Sequence, residues 1–281
     1  MINYVVKIQV LKADYLTYGT GSIVSANGHI LTASHLLMSG ATIQVLYRYV
    51  WVDVEIKYID YRLDIAILKL FNINTESNQI CMTPLFFSTP IAIQCFEKDS
   101  VYSTRKVGKV LNLNKVDKFK FDSLVTDIIA CNGCSGSPIT NTKGDILVGV
   151  LTWSTETTSG GSVMRTWYDI VRSVINGQKI SKLMINCKLT YFLNYCMVLE
   201  SKVDNIPVGS KIISVNGNVV GLKYVSIESI VYSSKEKNAL ICFINSKTGL
   251  KETCHISLVE YKDCIFTNDK PISNMTLVNL I

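Results

Sequence analysis

From Met1 to about Trp167 the chain is broken into short apolar runs by turn residues, with almost no helical periodicity. Ser22–Ser25, Ile43–Tyr47, Val52–Tyr58, Ile65–Leu70, Ile91–Gln94, Val107–Leu113 and Ile146–Thr152 have the length and the β-branched content of strands. Between such runs stand turn signals such as Ala26-Asn27-Gly28, Lys143-Gly144-Asp145 and Ser159-Gly160-Gly161. A chain of this kind buries its apolar faces by packing sheet on sheet or by closing sheets on themselves, so a mainly β sandwich or a pair of barrels is predicted. Trp167–Ile175 reads as a closing helix, with Ile170, Val171 and Val174 on one face and Asn176-Gly177-Gln178 ending it.

A second unit is predicted over 180–262. It reads as strand (Cys196–Glu200), turn (Pro207–Ser210), strand (Lys211–Val215), an Asn216-Gly217 turn, a helix with Ile227, Ile230 and Val231 on one face, and two more strands, Ala239–Ile244 and Thr253–Val259. The domain boundaries expected are 1–176, 180–262 and a more polar tail, 263–281. With 48% apolar and 18% charged residues the composition is globular. No stretch approaches the roughly 18–20 apolar residues of a membrane-spanning helix, so no membrane partner is expected. The net charge of +6 is scattered rather than gathered into a basic stripe, which argues against nucleic acid. The N-terminus has no signal-peptide pattern, and the nine cysteines lack disulfide spacing. An intracellular location with reduced thiols is the expectation, with a virus particle as the alternative for a viral chain; the abundance of Asn, Ile and Lys suits an AT-rich genome.

Three segments carry the chemistry. Gly133-Cys134-Ser135-Gly136-Ser137-Pro138 offers a serine hydroxyl flanked by glycines. A hydroxyl needs a base to become a nucleophile, and an acyl-transfer intermediate needs convergent N–H donors. Gly133 lets the chain turn so that the amides of Gly133 and Ser135 point at one oxygen. Of the three histidines, His35 follows an apolar strand ending in small residues, a placement that lifts an imidazole into a cleft. His29 falls in the Asn-Gly turn and is expected in solvent; His255 lies on an alternating strand of the second unit. Asp64 stands just before the apolar run Ile65–Leu70, where it can accept the His35 ring N–H and fix its tautomer. The order His35, Asp64, Ser135 places base and acid in the first half of the β region and the nucleophile in the second.

These residues resemble the trypsin-like serine proteases of the HtrA/Deg type. Gly19-Thr20-Gly21-Ser22-Ile23-Val24, the Asn27–Thr32 strand, Asp60 through Leu70 and Thr126-Asp127 through Pro138 follow that family's motifs over nearly all of residues 1–175. The resemblance implies a chymotrypsin-like double β-barrel of two six-stranded barrels, the triad in the cleft between them, endopeptidase activity on polypeptides without a cofactor, and often a homotrimer. Cys134 replaces the family's usual Asn, Ser137 its second Gly, and Asn132 stands where Pro is common. No zymogen cleavage is expected, since neither an activation peptide nor the acid that would pair with a new N-terminus is visible. Cys134 is a rival nucleophile, but choosing it would spoil both glycine roles. Cys131 and Cys134 form a C-x-x-C without a second ligand pair at zinc spacing, which argues against a metal or a redox reading. Gly149–Ser154 resembles the strand that pairs with substrate backbone, so Thr152, Trp153 and Ser154 are expected to bind substrate. Ile129, six residues before Ser135, is expected near the base of the primary pocket, giving an apolar P1 preference.

Ile206 through Gly217 resembles a PDZ motif, so the second unit is expected to be a small α+β PDZ-like domain that binds peptide C-termini by strand addition or serves assembly. Leu193-Asn194-Tyr195 would be its carboxylate loop, and Val278-Asn279-Leu280-Ile281 a ligand for such a groove. A protein that keeps the protease fold as a scaffold, for instance in a virion, is the reading from another class; the complete Ser-His-Asp set favours the enzyme.

Overall fold

The computed structural model describes residues 4–260 apart from 14, 62, 72–73, 81–84, 114–122, 179, 181–182, 193, 222–226, 228–229, 232–233 and 235. They fall into two compact units that part between Met164 and Arg165. The tail 263–281, with its C-terminal Val278–Ile281, lies outside the described residues.

The first unit begins with seven strands: β1 (Val5–Lys12), β2 (Tyr15–Ile23), β3 (His29–Thr32), β4 (Thr42–Tyr47), β5 (Val50–Asp53), β6 (Glu55–Asp60) and β7 (Ile65–Lys69). Their order is β5-β4-β1-β2-β3-β7-β6, all antiparallel. The sequence suggested one strand over Val52–Tyr58. It is instead two, β5 on β4 and β6 on β7, separated by Val54, whose N–H bonds Ile43 O at 3.3 Å. This bent stretch therefore crosses from one end of the sheet to the other and rolls it into a barrel. Inside lie Ile8, Ile23, Ile30, Val45 and Leu68, all fully buried, each contributing about 1.5–3 kcal/mol.

Seven further strands follow: β8 (Gln79–Ile80), β9 (Pro90–Phe96), β10 (Ser103–Asn112), β11 (Ser123–Thr126), β12 (Pro138–Asn141), β13 (Ile146–Ser154) and β14 (Ser159–Val163). The order is β12-β9-β10-β11-β14-β13-β8, and a β12–β13 pairing closes six of them into a second barrel. Its core holds Ile91, Ile93, Cys95, Val110, Leu124, Cys134, Ile139 and Leu151. The fold is mainly β, as the alternation of short apolar runs and turns requires.

Thr20, fully buried in β2, ties the barrels together. Its N–H bonds Ser135 O at 2.8 Å, its hydroxyl donates to Gly133 O at 2.8 Å, and the same oxygen accepts Phe96 N–H at 3.0 Å. Its own carbonyl accepts the Thr32 hydroxyl at 2.7 Å. Lys7, buried in β1, adds a second tie, donating to Lys98 O and Ser100 O at 2.6 and 2.7 Å.

The second unit contains α1 (Tyr168–Ile175), β15 (Leu183–Met184), β16 (Cys187–Phe192), β17 (Tyr195–Ser201), β18 (Lys211–Val215), β19 (Asn218–Val219), β20 (Asn238–Ile244), β21 (Lys251–Ser257) and β22 (Val259–Glu260). The sheet order is β16-β17-β18-β20-β21, with β19 on β18 and a separate β15–β22 pair. Ile227, Ile230 and Val231 are helical and buried, as their spacing predicts. Helix α1 starts one residue after the predicted Trp167 and belongs to this unit, whereas the sequence boundary after 176 put it with the first. Among the described residues no helix is long and apolar enough to cross a membrane.

Replacing Thr20 by Val keeps the shape but strips Gly133 O and Phe96 N–H of their partner. The variant should lose about 2–3 kcal/mol in urea unfolding, and Thr20→Ser, which keeps the hydroxyl, should lose less.

Candidate active site

The strand β3 ends at Thr32, and the chain turns at once into a short 3-10 turn, Ser34–Leu36, that carries His35. Gly19 makes room for this turn, since a Cβ there would collide with Leu36. Asp64 stands at the mouth of β7 with φ +51°, a left-handed conformation that Asp tolerates at about 1 kcal/mol. Asp60 shapes the preceding turn by accepting Leu63 N–H at 3.0 Å and the Tyr58 hydroxyl at 3.1 Å. On the second barrel, the loop between β11 and β12 carries Ser135 between two glycines of positive φ, Gly133 (+96°) and Gly136 (+82°). A Cβ on Gly136 would collide with Thr32 Oγ1 and Thr20 O, so only glycine lets this loop dock against β2 and β3.

The three side chains lie in one line. Asp64 Oδ2 is 2.7 Å from His35 Nδ1, and His35 Nε2 is 2.5 Å from Ser135 Oγ. The other Asp64 oxygen accepts His35 N–H at 2.9 Å and the Ser34 hydroxyl at 3.0 Å. Burial by itself would raise the Asp64 carboxyl, but the His35 charge, its ring and backbone N–H groups and the Ser34 hydroxyl outweigh it and hold the group below its ordinary range. Among the described residues the amides of Gly133 and Ser135 have no acceptor, while the neighbouring Cys134 N–H bonds Cys131 O and the Gly136 N–H bonds Leu151 O. Two free donors thus sit beside a hydroxyl in contact with a base. The Ser137 hydroxyl donates to Cys134 O at 2.5 Å, so the residue that departs from the family's glycine tightens this turn.

The other expected site residues are less alike. Beyond Leu151, among the described residues, the ladder of β13 continues with β14, and Thr152, Trp153 and Ser154 are all buried. Thr152 falls in the irregularity of that pairing. The Trp153 ring is buried against Gly160 and donates to Ser123 Oγ at 3.1 Å. Ile129 is 55% exposed, which does not make it the floor of a closed pocket; its carbonyl accepts Lys106 Nζ at 3.3 Å. His29, expected in solvent, is buried at the start of β3, with its Nδ1 2.8 Å from Ser25 Oγ; burial, then Lys69 and Lys57, lower its basicity. His255 is exposed on β21. Sequence reasoning missed Thr20, Ser34 and Asp60, although Thr20 lies inside the Gly-x-Gly motif and Ser34 adjoins His35.

Residues 19–150 match the family model of the trypsin-like peptidase domain. Sequence relatives are serine protease HTR4 of Rattus norvegicus, 30% identical over 141 residues, and serine protease HTRA1B of Danio rerio, 28% identical over 140. Each alignment covers 46% of this chain. Over this stretch the chain is similar to trypsin-like peptidases, and these sequence relatives are of the HtrA type. The alignments span 28% and 29% of those relatives' own lengths. Among solved structures, the HtrA-type protease AlgW with tripeptide superposes with a TM-score of 0.64 at 16% identity, covering 91% of this chain and 93% of that one. The serine endoprotease from Yersinia pestis gives 0.58 at 20% identity, covering 92% and 94%. At such identities these two likenesses establish the fold of the peptidase domain and the unit after it.

In that following unit, Leu193 of the expected carboxylate loop lies outside the described residues, and Tyr195 pairs with Phe192 in the β16–β17 hairpin. Both edges of β17 are occupied, by β16 and β18. Among the described residues the sheet ends on β16 at one side and on β21 at the other. A seven-residue strand following a polar turn resembles a ligand-binding edge in sequence; only the pairing shows that it is internal.

Because the Asp64 carboxyl is depressed, it stabilises the fold above its unfolded pKa, and that contribution is lost as pH falls through the folded value. Ser34→Ala removes one of the bonds that depress it. The variant should be less stable by about 1–2 kcal/mol at pH 7, with the acid limb of its stability curve moved to higher pH. Thermal melts across pH 2–7, roughly the carboxylate range, read both effects.

Proposed function

We propose that the chain is a serine endopeptidase acting through an acyl-enzyme. The observation that carries this reading is the unbroken hydrogen-bond line from Asp64 through His35 to Ser135, beside two amides without acceptors among the described residues. His35 Nε2 takes the Ser135 proton as Oγ attacks the scissile carbonyl, and later delivers it to the leaving amine. Asp64 holds the proton on Nδ1 and stabilises the imidazolium. The Gly133 and Ser135 amides receive the negative oxygen of the tetrahedral intermediate. Water then repeats the sequence to release the acyl group. Cys134 is fully buried with its thiol in the barrel core, which favours Ser135 as the nucleophile.

The resemblance of Gly149–Ser154 to a substrate-pairing strand supports binding of a polypeptide as an added strand at Thr152–Ser154, main chain to main chain. We carry Ile129 as a residue at the rim of the P1 site, with an apolar preference. The second unit is read as PDZ-like, with a peptide C-terminus adding to its sheet as a strand. A homotrimer, implied by the resemblance, completes the proposal, and sedimentation of the full chain tests it.

A fluorophosphonate should add to wild type and not to Ser135→Ala, read by intact mass; modification by a thiol alkylator alone, with loss of activity, would instead assign the chemistry to cysteine. Asp64→Asn should cut kcat by about 10⁴-fold while leaving the protein folded. Peptides with Val or Leu at P1 should be cleaved faster than those with Arg, and a clear preference for Arg refutes the assignment of Ile129.

A further inference from the structure

The proposed acyl transfer makes no use of a cluster of thiols packed under the serine loop. Cys131 and Cys134 bracket the turn that carries the Gly133 amide, and their sulfurs are 3.4 Å apart. The Cys134 N–H bonds Cys131 O at 3.0 Å, closing the four residues into a β-turn. Such a turn holds its outer Cα atoms within about 7 Å, and a disulfide needs about 4.4–6.8 Å. Cys134 is fully buried, whereas Cys131 is partly exposed and meets a solvent-borne oxidant first. Lys106 Nζ lies 3.6 Å from Cys131 Sγ, and Glu97, 3.5 Å from the same ammonium, offsets part of its field. A third thiol, Cys95 on β9, is also fully buried. Among the described residues no three His, Cys, Asp or Glu side chains are disposed to hold a metal ion.

We propose that Cys131 and Cys134 form a redox-sensitive modification site: a hydroperoxide converts them to a disulfide that suppresses acylation of Ser135, and a thiol reductant reverses it. The inference rests on the peptidase reading above. In the first step the Cys131 thiolate attacks one peroxide oxygen; an S–O bond forms, the O–O bond breaks, and the departing oxygen leaves as water after taking up a proton. In the second, the Cys134 sulfur displaces hydroxide from the Cys131 sulfenic acid, and its thiol proton completes a second water. Two thiols and one hydrogen peroxide thus give one disulfide and two waters, with two electrons passing to the peroxide. Burial holds the Cys131 thiol up despite the Cys134 bond and Lys106. A hydrogen bond from Cys134 draws Cys95 down to about 7, and the same bond, with burial, pushes Cys134 up.

The effect on the active site follows from position. Cys134 lies between the two oxyanion donors, Gly133 and Ser135. Closing the sulfurs from 3.4 Å to about 2.05 Å pulls Cys134 toward Cys131 and away from Cys95, and the peptide groups on both sides turn with it. A misplacement of about 1 Å at a reacting centre costs on the order of 10²-fold in rate.

The test treats the full chain with hydrogen peroxide and reads the same sample two ways. Peptide mapping by mass locates the bond, and the rate of fluorophosphonate labelling reads Ser135. The expected result is a Cys131–Cys134 crosslink, labelling slowed about tenfold or more, and recovery with dithiothreitol. Cys131→Ser should lose both the crosslink and the sensitivity, with the melting temperature and reduced labelling rate of wild type. A crosslink that leaves labelling unchanged overturns the switch, as does a Cys95–Cys134 bond or inactivation that persists in Cys131→Ser. Reduced wild type that never labels instead removes the peptidase reading, and the switch with it, while the mapping still decides separately whether the disulfide forms.

Discussion

The docking of the serine loop on Thr20 is the constraint on which the rest of the peptidase domain depends. A triad drawn from two barrels works only if the barrels are held to a fraction of an ångström. Thr20 supplies that register through three bonds to the second barrel, to Ser135 O, Gly133 O and Phe96 N–H, all away from water. The glycines around it make the approach possible: Gly19 admits Leu36 behind His35, and Gly136 admits the loop itself. Stability and chemistry are therefore set by the same contact.

Asp64 shows a similar economy. Its left-handed backbone is unfavourable alone, yet it aims one carboxylate oxygen at the imidazole and the other at the amide and hydroxyl of the preceding turn. Ionisation is what makes those bonds strong, and the bonds keep the group ionised in a buried place. The orientation of His35 thus follows from a carboxylate that is itself fully specified. The thiols beneath the same loop bring a second chemistry within one residue of the nucleophile.

Much of the architecture was legible in the sequence because strand formation is largely local. Ile43–Tyr47, Ile65–Leu70 and Lys211–Val215 carry their alternation and their bounding turns with them, and the corresponding strands differ by a residue or less. Misses came where a partner far along the chain decides. His29 is buried because β3 is sandwiched between β2 and β7, which no turn motif announces. Tyr195, expected in a carboxylate loop, pairs with Phe192 because β16 occupies the edge of β17. Ile129 stands in solvent although its spacing from Ser135 suggested a pocket floor.

The sequence by itself determined the mainly β class, the order His35, Asp64, Ser135, and the glycines that flank the nucleophile. These are matters of residue type and near-neighbour spacing, which backbone sterics and side-chain chemistry translate directly. Only the tertiary structure decided that Thr20 and Ser34 hold the site, that the amides of Gly133 and Ser135 go without acceptors among the described residues, and that Cys131 faces Cys134 at 3.4 Å. Those facts depend on which distant groups share a dry interior, because a buried polar group must find a partner there and a sequence does not say which one it will find.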